Sequence, residues 1–110
     1  MEPDHGGALG FIVPALAELG EADRAREWAR RAVLIDPDNL GMRYNLACDF
    51  VVSVRDHDMA LEMLRPVCEN AGHEQIAWIG SDPDMDPLRD DPRFKEMVAE
   101  AEARLATAQP

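Results

Sequence analysis

Asp82, Asp84 and Asp86 alternate in one run, and alternating carboxylates are how a calcium loop of the EF-hand kind begins. The remainder of such a loop is missing. Pro87 stands where the turn needs glycine, and Arg93 where a bidentate glutamate would close the site. Helix caps are the better reading, because Asp82, Asp86 and Asp91 each precede a proline, and an Asp-Pro pair suits the start of a helical turn. His57 between Asp56 and Asp58, and His73 beside Glu74, could serve a metal or an acid-base pair. With only three histidines, His5, His57 and His73, and neither an H-E-x-x-H nor a C-x-x-C spacing, they read as surface turn residues. Cys48 or Cys68 could act as a nucleophile with a histidine, yet Cys68 falls near a helix C-terminus, where the dipole opposes thiolate formation. Gly6-Gly7 precedes a helix but follows no strand, so it is no phosphate loop. No catalytic, metal or cofactor site is expected, since nucleophile, base and orienting group cannot be assembled. A small metal-dependent enzyme is therefore the least favoured class of function.

The 110 residues suit one domain, 1–110, or a piece of a longer chain. With 46% hydrophobic but only 5% aromatic residues, the core must come from Ala, Leu, Val and Met, as in closely approaching helices. A net charge of −11 disfavours nucleic acid and anionic membranes as partners. The longest apolar stretch, Ala8 to Ala17, is broken by Pro14 and too short to span a bilayer. Met1-Glu2-Pro3-Asp4 offers no basic segment of a secretory leader, and two cysteines make no disulfide framework. Both are read as reduced, and the expected location is the cytoplasm.

The pattern throughout is helical. Ala8 to Leu19 carries apolar residues at three-and-four spacing and ends at Gly20, where a left-handed stop is wanted; Pro14 should kink this helix or postpone its start. Ala22 to Ile35 places Ala25, Trp28, Ala29, Ala32 and Val33 on one face, with its arginines mostly toward water. Asp36-Pro37 ends it. A third helix runs from the cap Asn39 to Val54, and a fourth from Asp56 or Asp58 to Asn70, with Pro66 a second interior flaw. His73 to Ile79 gives two turns with Trp78 facing inward. A last helix from Asp91 turns Phe94, Met97, Val98, Ala101 and Leu105 inward, and Glu96, Glu100, Glu102 and Arg104 outward.

These helices repeat. Ala25, Ala29 and Ala32 recur as Ala60, Leu64 and Val67, a shift of 35, whereas Ile12, Val13 and Leu16 recur as Leu46, Ala47 and Phe50, a shift of 34. One residue has therefore been added near Ser53 to Asp58. The period is close to the ~34 residues of a tetratricopeptide (TPR) unit.

Residues 6–39, with Ala25, Ala32, Gly20 at the turn and Pro37 at the exit, resemble a TPR unit; residues 40–72, with Asn45-Leu46-Ala47 and Ala60, resemble a weaker second one. Residues 73–107 resemble a degenerate third unit with a capping helix. The run Trp78 to Phe94 is similar to the ending of TPR arrays at the C-termini of bacterial signalling proteins, among them class III nucleotide cyclases, protein kinases and winged-helix regulators. The resemblance implies an all-α fold of TPR-like hairpins stacked as a short right-handed solenoid with a C-terminal capping helix. It implies a non-enzymatic module that binds a protein or peptide, or else a regulatory or oligomerisation segment of a larger signalling protein. It also puts Gly7, Gly10, Pro14, Ala17 and Glu18, with Gly41, Tyr44, Asn45, Cys48, Val51 and Val52, on a concave surface. Of these, Tyr44, Cys48 and Val52 would bury an apolar peptide, while Arg43 and Asn45 hold its polar groups; Tyr44, Val51 and Val52 have packing between helices as their alternative. The Gly6 to Pro14 side lacks a covering helix, so a homodimer is expected there.

Overall fold

The computed structural model describes residues 5–108, and the side chains of residues 12–107. Helices α1 (His5–Glu18) and α2 (Ala22–Ile35) form one antiparallel hairpin. Helix α3 (Leu40–Asp49), which runs directly into a π-helical turn (Phe50–Val54), forms a second hairpin with α4 (His57–Asn70). Helix α5 (His73–Ser81), a 3-10 segment (Pro83–Leu88) and α6 (Pro92–Ala108) complete the order. Every described element is helical, and no strand is present among the described residues. The extents, 47 × 36 × 20 Å, make the molecule about two helices thick, given a helix diameter of about 10 Å.

Small residues explain the tight first hairpin. Ala25, Ala29 and Ala32 are fully buried, and α2 meets α1 across them. Their counterparts Ala60, Leu64 and Val67 are also buried, so the second hairpin keeps one small contact and fills the other two with larger side chains. Helix α1 stacks on α3, α4 packs on α6, and α5 packs on α6. Phe50, Leu46, Met63, Leu64, Ile79, Met85 and Leu88 are the largest fully enclosed side chains, which places the core between the second hairpin and the C-terminal third.

Polar contacts fix the junctions. Asp56 Oδ1 accepts from the Met59 amide (3.0 Å), which caps α4, and Asp56 Oδ2 accepts from Arg26 Nε (2.6 Å), which ties α2 to the same point. The guanidinium and that cap hold the Asp56 carboxyl below the usual carboxylate range against its burial. Arg104 was expected to face water. Instead it reaches back from α6 and donates through Nη2 to the carbonyls of Cys68 (2.9 Å) and Ala71 (2.8 Å) at the end of α4. There a cation satisfies carbonyls that the helix itself leaves open.

Three other expectations change. Pro14 does not postpone the start of its helix, since α1 runs from His5 to Glu18 with the proline inside it; Pro66 likewise lies inside α4, as expected. Trp78 faces outward, 51% exposed, because Ile76 and Ile79 take the inward side of α5. The helix expected over Asn39 to Val54 divides at Phe50 into an α and a π portion. That division is where the added residue goes, because a π turn spends one residue more than an α turn over the same path. The expected dimer face falls largely on Gly6 to Phe11, whose side chains lie outside the described residues.

Candidate functional site

The surface strip expected to bind a peptide starts at the head of α3. Asn39 Oδ1 accepts from the Met42 amide (2.9 Å), and Arg43 Nε donates to the Pro37 carbonyl (3.1 Å), so the arginine is held against the turn that leads into the helix. Asn45 and Gly41 are exposed, Cys48 is half-buried and Val52, on the π turn, is 52% exposed. Gly41, Asn45, Cys48 and Val52 follow one another at helical spacing along one line. Beside them α1 offers half-buried Pro14 and Ala17 and exposed Glu18; Gly7 and Gly10, also expected here, lie outside the residues whose side chains are described. Val51 is buried in the core.

Tyr44 is placed differently from its neighbours. It is only 7% exposed, and its hydroxyl donates a hydrogen bond to Asp82 Oδ2. Asp82 Oδ1 accepts from the Asp84 amide (2.9 Å), so one carboxylate caps the 3-10 segment and anchors α3 to it. Arg89 closes the corner from outside, donating through Nη2 to the Asp82 carbonyl (2.8 Å) and through Nε to Asp86 Oδ1 (2.7 Å). Tyr44 therefore sets where α3 stands rather than offering area to a partner. Burial, and then the bond to Asp82, push its phenol far above the ordinary range.

Around that link the structure gathers groups that are distant in sequence. One ligand atom each of Cys48, Asp82 and Asp84 lies within 4.8 Å of the others. Burial first, and then the charges of Asp82 and Asp84, push the Cys48 thiol up to about 12. At neutral pH the thiol is thus protonated and a poor nucleophile and ligand. Asp49, whose Oδ2 is buried without a hydrogen-bond partner, is pushed up to about 7 by burial and then by Asp84. Asp86 is turned toward Arg89, so the three alternating aspartates do not converge as a calcium loop requires. Asp82 and Asp91 act as caps, Asp91 Oδ1 accepting from the Arg93 amide (2.8 Å).

His57 lies in an open hollow with Arg26, Arg55, Asp56 and Asp58. The second thiol, Cys68, is buried at the end of α4 and pushed up to about 11, chiefly by burial. It borders a cavity of about 150 Å³ shared with Arg65, Glu69, Met97, Glu100, Ala101 and Arg104. Sequence reasoning pairs Tyr44 with Cys48 through their spacing of four, but not with Asp82 and Asp84, because only tertiary folding brings the 3-10 segment to α3. Compared with known proteins, the chain matches no family model, no curated protein and no solved structure.

Proposed function

We propose that this chain is a non-enzymatic, TPR-like interaction module of the bacterial cytoplasm that holds an extended or helical apolar peptide of a protein partner. The observation that carries the reading is the line of uncharged residues Gly41, Asn45, half-buried Cys48 and Val52 beside Pro14 and Ala17, with Glu18, Arg43 and Asp84 the charged side chains at its edges. Apolar burial along that line then supplies much of the affinity, and a half-exposed valine is suited to it. Two stacked hairpins with the small pair Ala25 and Ala60 at matching places support the TPR-like reading. The two thiols are free, which fits a reducing compartment, and among the described residues no helix is long and apolar enough to cross a membrane.

Selection of a random peptide library against the whole chain tests the proposal. Enriched peptides should share apolar anchors, and Val52→Asp should weaken them by at least about tenfold while leaving the helical spectrum unchanged, on the scale of an interface hot spot. Peptides that ignore Val52→Asp would place the binding surface elsewhere.

A further inference from the structure

Helix α2 has a second face, separate from the peptide strip. Arg24, Trp28, Arg31 and Ile35 follow at intervals of four, three and four, which sets them in one stripe about 16 Å long, at 1.5 Å per residue. All four are exposed, Trp28 by 37% and Ile35 by 83%. The repeat makes this exposure informative. Shifted by 35, Arg24 and Trp28 correspond to Met59 and Met63 of α4, and both methionines are buried within the molecule. The N-terminal half of this edge is thus covered in the second hairpin and open in the first, while Arg31 and Ile35 correspond to half-buried Pro66 and exposed Asn70.

Charge indicates what fits there. Helix α2 carries four arginines against two acidic residues and is the one described helix with a net positive charge, in a chain of −11. Among the described residues, Arg24 and Arg31 pair with Glu21 and Glu27 on their own surface, in exposed contacts that exchange partners at little cost. At the other end of the molecule, the outer face of α6 presents Ala99, Ala103 and Ala106 in a row, edged by Glu96, Glu100 and Glu102, all exposed. The alanine row is about 10 Å long by the same rise, and the face from Glu96 to Ala106 about 15 Å, with exposed Lys95 just beyond its head. Its small side chains let a tryptophan and an isoleucine approach closely, and its glutamates oppose the arginines.

We infer that the α2 stripe receives the outer face of α6 from a second copy of this chain, so that copies associate head to tail. The contact joins two different surfaces and leaves one of each free on every pair, so assembly continues beyond two copies. The peptide strip on α1 and α3 takes no part, and the outcome here leaves that reading untouched.

The test uses the whole chain in sedimentation velocity from micromolar to millimolar concentration. The average mass should climb above the 12.2 kDa of one chain and not level off at two. Arg24→Glu with Arg31→Glu, and separately Glu96→Arg with Glu100→Arg, should each weaken association by at least about tenfold, since like charges then face each other. An equal mixture of the two charge-reversed chains should regain it, because each reversed face meets its complement. Trp28→Ala and Ala103→Arg, both at exposed positions, repeat the loss without reversing a cluster, and a helical spectrum verifies that each variant is folded. A mass of one chain at every concentration, a plateau at two, association that survives these substitutions, or a mixture that fails to recover would each overturn the inference.

Discussion

The turns that close the two hairpins do the same work with different residues. In the first, Gly20 sits at φ +77°, its amide donates to Ala17 O (3.0 Å), and Glu21 N donates to Leu16 O (2.9 Å). In the second, Arg55 takes the same left-handed conformation at φ +62°, and the amides of Arg55 and Asp56 both reach Phe50 O, the latter at 2.8 Å. Leu16 and Phe50 are 34 residues apart while Glu21 and Asp56 are 35 apart, so equivalent bonds enclose one more residue in the second turn. The π turn absorbs it. The helices beyond stay in register, with Ala25 and Ala60 both fully buried. An insertion is thus confined to one widened turn instead of being passed on to the packing. The second turn also has support that the first lacks: Asp56 caps α4 and holds Arg26, whereas Glu21 makes no capping bond.

The comparison can be broken most forcefully in the core. Leu64 fills the place that Ala29 holds in the first hairpin, and Leu64→Ala should cost about 2–5 kcal/mol, because it leaves a cavity between elements that cannot collapse. Urea unfolding measures it, and a cost below that range would mean α4 is not the centre of the core.

At the turns the asymmetry should appear directly. Gly20→Ala puts a Cβ into the left-handed region and should cost about 1–2 kcal/mol, read from the thermal midpoint, although nothing crowds the added carbon.

Where α1 has Ala15, α3 has Asp49, and this difference predicts a pH dependence. The folded state holds the Asp49 proton up to about 7, whereas an unfolded carboxyl releases it near pH 4. Its contribution to stability is therefore complete below about pH 4 and lost as pH rises through that folded value. The denaturant midpoint should fall between mildly acidic and mildly alkaline buffer, and Asp49→Asn should flatten the fall; an equal slope in the variant would refute the assignment.

The smallest effect is expected at Arg55. Arg55→Gly relieves the left-handed strain but frees the unfolded chain, leaving a gain of no more than about 1 kcal/mol. A clear loss in calorimetry would show that the arginine side chain contributes something the backbone does not explain.

Much of this was legible in the sequence because the repeat is local. Two different register shifts, 34 and 35, locate the added residue near Ser53 to Asp58, and the widened turn spans Phe50–Val54, at the edge of that window. What spacing could not reveal is which side of a short helix wins. In the nine residues of α5, Trp78 and its neighbours Ile76 and Ile79 compete for one inward face, and two β-branched aliphatics fill it more closely than one indole. Arg104 was misread for a related reason, since its long stem lets the charge cross to another helix, and helical periodicity assigns only the direction of the Cβ. The candidate strip was readable at Asn45, Cys48 and Val52, but the fate of Tyr44 depended on Asp82, 38 residues away.

That bond gives the molecule its own optical probe. Tyr44 is the single tyrosine of the chain, and in the folded protein its phenol is enclosed and committed to a carboxylate. Phenolate absorbance on alkaline titration should therefore stay silent past the ordinary tyrosine range and rise only when α3 parts from the 3-10 segment. With no label attached, a spectrophotometer would time the separation of those two elements.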